Sequence, residues 1–213
     1  MMRIKRPVIQ ADIEEKELKD LYQPHDYILE LDGYDLNEPD FTTVQVEQVR
    51  LYNCVIRDGI FNDMDLSDAD LTDVRFIGCD FSNVNLSQAS IHRVEFENCK
   101  LLGTQFSETM LGDTLFQEAI LNLSTFADSK LVRVYFQESS LQEAAFFECK
   151  LKQVNFEECE LNDITFDHTP LKGINLSTSN FNSIRVAIED LKGCRVSREQ
   201  ALGLVGLMGV EVV

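Results

Sequence analysis

Large apolar residues fall at every fifth position of this chain, from Leu31, Leu36, Phe41, Val46 and Leu51 through to Leu191 and Val196. The frame never slips. All 34 of its positions are Leu, Phe, Ile or Val, and they take 13 of the 14 phenylalanines, leaving only Phe147 out of step. Two residues before each comes a smaller class, as in Ala69, Val74, Cys79, Val84 and Ala89. All six cysteines (Cys54, Cys79, Cys99, Cys149, Cys159 and Cys194) occupy this slot. The remaining positions are mostly Asp, Asn, Ser, Glu, Lys, Thr and Gln.

Neither common secondary structure repeats every five residues. Five residues turn an α-helix by about 500°, which spreads such positions around every side, and an odd step along a strand alternates faces. The period instead predicts a chain that buries one large and one small side chain per pentad and then turns a corner. A right-angle turn per pentad closes a rung in about twenty residues, and rungs stack at the ~4.8 Å spacing of paired strands. The expected fold is therefore an all-β solenoid, a quadrilateral β-helix over residues 31–196 with a short C-terminal helix. Its rod would be roughly 40 Å long.

The ends lack the period. Residues 1–30, with Pro7 and Pro24, are expected to form a strap or short helix covering the first rung, because an open β-helix end is an unpaired edge. At the other end, Ser197 followed by Gln200 is a capping-box pattern. Ala201, Leu202, Leu204, Val205, Leu207 and Met208 then predict a mostly apolar helix stopped by Gly209, with a last strand over Val210–Val213. That apolar surface exceeds what capping one rung needs. Residues 197–213 are therefore expected to form a homodimerisation module through Leu202, Leu204, Val205, Leu207 and Met208, with simple capping as the alternative.

Charge sharpens the picture. There are 37 acidic residues against 19 basic ones, a net charge of −18. Direct binding to nucleic acid or an anionic membrane is disfavoured, since phosphate requires clustered Lys and Arg; a partner should carry a basic surface. Assigning pentads to four sides separates the charges. Eight of the 13 Lys and Arg residues between 31 and 196 fall on one side: Arg50, Arg93, Lys130, Arg133, Lys150, Lys152, Lys172 and Lys192. That side nets +2, and the other three net −5, −6 and −6. Two acidic columns appear at twenty-residue spacing, Glu108 with Asp128 and Glu148, and Glu118 with Glu138 and Glu158, and Asp68 lies in line with the first column two rungs earlier. Stacked like charges repel. They read either as a solvated acidic coat or as partner-facing columns.

The A(D/N)LXX pentads resemble those of pentapeptide-repeat proteins, which implies a right-handed, four-sided β-helix. The acidic repeats with the ending "VSREQALGLVGLMGVEVV", especially its EQA…LG-V pattern, resemble the Qnr-type branch of that family. The unbroken frame is similar to its loopless members. That resemblance implies a homodimer that imitates DNA, binds the type II topoisomerases DNA gyrase or topoisomerase IV, and protects them from fluoroquinolones.

Other chemistry finds little support. The three histidines, His25, His92 and His168, have no HExxH or Cys/His metal spacing. "DMDLSDAD" at 63–70 lacks the glycine and glutamate of a calcium loop. Gly103, Gly112 and Gly173 form no GxGxxG. The cysteines read as small buried fillers rather than disulfides. No signal peptide or membrane span is recognisable. The expectation is a non-enzymatic cytoplasmic binder with no cofactor, metal or small-molecule substrate. The rival class is a scaffold docking a regulatory or signalling protein. It would use outward apolar residues: Leu102, Ile120 and Leu123 on one side, with Met110, Leu115, Val132, Tyr135 and Phe147 on others.

Overall fold

In the computed structural model, which describes residues 4–23 and 25–210, the five-residue frame builds a four-sided parallel β-solenoid. Strands Gln48–Arg57, Asp70–Ile77, Ser90–Glu97, Met110–Gln117, Lys130–Gln137 and Lys150–Glu157 stack with each residue beside the one twenty positions on. Leu51 pairs with Leu71, Leu71 with Ile91, and Phe116 with Phe136. Each strand covers two successive sides. Side one is centred on Leu51, Leu71 and Ile91, and side two on Ile56, Phe76 and Phe96. Side three, centred on Phe61, Phe81 and Leu101, consists of turns joined by single bridges such as Lys100↔Ile120. Side four, centred on Leu66, Leu86 and Phe106, becomes strand only later, at Thr125–Ala127, Ala145–Phe147, Ile164–Asp167 and Ile184–Val186.

The central residue of each pentad points to the axis. Phe76, Phe96, Phe116, Phe136 and Phe156 stack on side two with ring centroids 5.0–5.1 Å apart. Phe106, Phe126, Phe146 and Phe166 form a second ladder on side four. The ladders meet edge to face across the core, as Phe126 and Phe136 do at 6.2 Å and 86°, so sides two and four are opposite walls. In the earlier rungs the second ladder is instead Phe41, Phe61 and Phe81 on side three. Phe147, off the frame, is exposed.

The small slot does more than fill space. Thr104, Thr109, Ser139 and Thr169 are buried there, and each hydroxyl donates to the carbonyl 23 residues earlier, for example Thr104 Oγ1 to Phe81 O at 2.8 Å. The Cys79 and Cys99 thiols make the same contact with Ile56 O and Phe76 O. All six cysteines are free, and burial pushes the Cys149 and Cys159 thiols up to about 11.

The corner follows two residues after each central apolar side chain. Among the described residues, twenty-three non-glycine residues, all at this position, have φ between 47° and 62°. Their N–H groups donate to the next rung, Glu138 N to Glu157 O at 2.9 Å for instance. The left-handed conformation disfavours most L-residues by about 1–2 kcal/mol and is easiest for Gly, Asn and Asp.

The N-terminal segment departs from expectation. Only its later part caps the first rung: Glu14–Glu15 pairs with Tyr34–Asn37, and Leu18 is buried against the core. Residues 4–10 instead run up the outside of the solenoid, because backbone N–H groups there find side-chain oxygens in successive rungs: Gln10 on Asn53, Val8 on Asp73 and Lys5 on Asp113. At the other end the helix is Arg198–Val205, with the Ser197–Gln200 capping box formed and a left-handed Gly209 closing the following turn. The expected last strand falls mostly outside the described residues.

Candidate partner-binding surface

Four corner columns run the length of the rod, and their side chains differ. Beside the N-terminal strap the corner between sides one and two reads Asn53, Asp73, Arg93, Asp113, Arg133. Arg93 grips Asp73 through two hydrogen bonds of 2.6 Å, and Arg133 Nε reaches Asp113 Oδ1 at 2.7 Å. Asp113 is buried, and the Arg133 guanidinium holds its carboxyl below the usual carboxylate range despite that burial. Burial pushes Asp73 up, but hydrogen bonds from Arg93 and the Val8 N–H outweigh it and bring the group down. On side two Arg6 of the strap and Arg75 both pair with Glu95, at 2.7 and 3.1 Å. Two of the eight basic residues of side one, Arg93 and Arg133, thus serve as counter-ions to carboxylates under the strap.

The predicted acidic columns lie elsewhere. Glu118, Glu138 and Glu158 form the corner after side two, and Asp68, Glu108, Asp128 and Glu148 the corner after side four. All seven are exposed and all seven have positive φ. Among the described residues none of them is in an ion pair; Gln88 and Gln137 offer amide contacts of 3.3 Å to Glu108 and Glu138. Within each column the side chains of neighbouring rungs are separated by the ~4.8 Å rung spacing. Since sides two and four are opposite walls, these two columns occupy opposite corners, and no flat partner touches both. A partner engaging both must be a saddle or a cleft.

The predicted outward apolar residues divide into two groups. Leu115 is buried and Tyr135 half-buried; both line a recess of side two that also holds strap residues Ile4 and Arg6. Ile120 and Leu123 on side three remain exposed, at 45% and 53%, and Leu102 is half-exposed. Met110, at 60% exposed, stands on side one near Lys130.

At the C-terminal end Gln200 plugs the last rung, donating from Nε2 to Leu176 O and Ser179 O at 2.9 and 2.7 Å, and Leu204 packs against the core. Leu204 therefore caps. Val205 is half-buried, while Leu202 and Leu207 are exposed at 56% and 39%. The Met208 side chain lies outside the described set. Among the described residues no group of His, Cys, Asp and Glu is placed to hold a metal, and no helix is long and apolar enough to cross a membrane.

A family model described as a pentapeptide repeat region matches residues 69–146. No curated protein matches the sequence significantly. Among solved structures, a trypsin-treated variant of QnrB1, described as a plasmid-mediated fluoroquinolone resistance protein, is 20% identical with a TM-score of 0.41, covering 78% of this chain and 90% of that one. HetL from the cyanobacterium Nostoc, a pentapeptide repeat protein involved in heterocyst differentiation regulation, is 18% identical with a TM-score of 0.44, covering 79% and 87%.

Proposed function

We propose, from the pentapeptide repeat region matched over residues 69–146, that this chain is an acidic DNA mimic that binds the DNA-gating region of a type II topoisomerase, DNA gyrase or topoisomerase IV. The observation that carries the proposal is the Glu118–Glu138–Glu158 column. These glutamates stack like charges, have no counter-ion among the described residues, and sit in a left-handed backbone slot that suits Asn or Asp better. Neither packing nor backbone geometry accounts for them. A basic saddle would, because it neutralises columns on opposite corners together.

Length is compatible. Exposed Leu202 and Leu207 beside the capped rung suit an end-to-end homodimer, whose rod would be roughly 80 Å, the length of about two dozen base pairs. Leu202→Asp with Leu207→Asp is expected to give a folded monomer by light scattering, whereas the same change at core-packed Leu204 would also disturb the cap.

The functional test is DNA supercoiling by each enzyme with and without a fluoroquinolone. Small amounts of the protein are expected to restore supercoiling by the poisoned enzyme, and an excess to inhibit it by occupying the DNA site. No effect on either enzyme would leave the second reading, a scaffold for a regulatory protein, which the exposed apolar residues of side three favour.

A further inference from the structure

Among the described residues, the corner after side three holds the one apolar side chain in a left-handed position. The left-handed slot elsewhere carries Asp, Asn, Gly, Glu, Gln, Arg or His. At 123 it carries Leu, with φ 60° and 53% of its surface exposed. The Leu side chain is unsuited to that conformation, and the cost is not recovered by packing, because Leu123 lies outside the hydrophobic core. Ile120 is exposed in the same rung, and Leu102, one rung earlier, aligns with Asn122 between them. Neither of these belongs to the core either. Three unpacked apolar side chains therefore share one outer surface, and one of them is held against its backbone preference.

The charge around them states what can cover them. Side three nets −5, with exposed carboxylates at Asp63, Glu143, Glu160 and Asp163. Its one lysine, Lys100, is paired to Asp80 at 3.4 Å. A surface reaching Leu123 enters a negative field, so it must be rich in Lys and Arg around an apolar socket. A second copy meeting the same side would set carboxylates against carboxylates.

We infer that Leu123, with Ile120 and Leu102, is the anchor of partner binding: an apolar knob that enters a socket rimmed by basic residues in the partner protein. The inference rests on the topoisomerase reading and assigns it a contact side, with the acidic columns supplying attraction and the knob supplying register. Strain and exposure at one residue fit a hot spot, where a central apolar anchor carries much of the affinity.

The test is binding of the full-length protein to immobilised gyrase and topoisomerase IV over a range of salt. Leu123→Asn removes the knob and suits the left-handed slot, so its melting temperature is expected to rise by a few degrees while affinity falls at least about tenfold. The ratio between wild type and L123N stays constant as salt increases, whereas the ratio for a variant reversing Glu118, Glu138 and Glu158 shrinks. Leu123→Met, which keeps an apolar side chain, retains most of the binding. Equal affinity of wild type and L123N overturns the inference, as does an L123N protein that loses self-association instead. Failure of the wild type to bind either enzyme ends the topoisomerase reading and this inference with it; the wild-type arm reads the first and the variant arm the second.

Discussion

Along the strap side the corner residues run Asn53, Asp73, Arg93, Asp113, Arg133; along the corner after side two they run Glu118, Glu138, Glu158. Both columns use the same left-handed backbone position. In the first, each carboxylate is answered by an arginine one rung on and receives a strap N–H as well. In the second, no cation answers the carboxylates among the described residues, and only the Gln137 amide reaches Glu138, at 3.3 Å. The solenoid accommodates both, so the backbone does not dictate which is used. Alternation pairs each carboxylate within the fold, whereas uniform charge leaves the carboxylates without a cation of their own.

The largest effect tests whether both columns hang on one rigid core. Phe136 is fully buried and stacks on Phe116 and Phe156 at 5.0 Å. Phe136→Ala should destabilise by about 3–5 kcal/mol, while Phe147→Ala should cost under about 1 kcal/mol. Equal losses in denaturant titrations would refute the five-residue assignment on which the column comparison depends.

Next come the columns themselves. Asp113→Ala removes the partner of Arg133 and the acceptor of the Lys5 N–H, and should cost about 2–3 kcal/mol. Glu138→Ala should cost nothing measurable. Acidification sharpens the contrast. Asp73 and Asp113 are held below their ordinary values in the fold, so their contribution is full above the unfolded carboxylate pKa of about 3.9 and is lost as pH falls through the lower folded values. Urea midpoints should therefore drop below about pH 4 in the wild type and less so in an Asp73→Asn, Asp113→Asn variant. Identical acid sensitivity would show that the strap corner is not the stabilised one.

The smallest effect has the opposite sign. Glu138→Asn relieves like-charge repulsion and places a residue suited to positive φ, and should raise stability by up to about 1 kcal/mol while weakening partner binding. A loss of stability would mean that the glutamate column serves the fold.

How much of this was legible beforehand follows from what a period can encode. The core was readable because one apolar residue in five at Phe76, Phe81, Phe96 and onwards admits few geometries. The capping box was readable because Ser197 and Gln200 are local partners. The path of the strap was not. It depends on Lys5, Val8 and Gln10 offering backbone N–H groups to Asp113, Asp73 and Asn53, and backbone donors leave no trace in residue identity. The alternation of Asp73, Arg93, Asp113 and Arg133 at twenty-residue intervals is a usable signal for a covered corner, and totals of charge per side average it away. Without that signal, Leu115 and Tyr135 look exposed. The strain at Leu123 was hidden for another reason: only the structure identifies the slot as left-handed, and a leucine there reads as one more apolar residue until its φ is known.

The central claim is that the acidic columns occupy a site built for duplex DNA, and displacement of a labelled duplex tests it most directly. With gyrase or topoisomerase IV bound to a fluorescent DNA, the protein should displace the duplex, less effectively as salt rises, and with Glu118, Glu138 and Glu158 all reversed to Lys it should displace far less while remaining folded. A duplex that stays bound to both enzymes at saturating amounts of the protein would contradict the account.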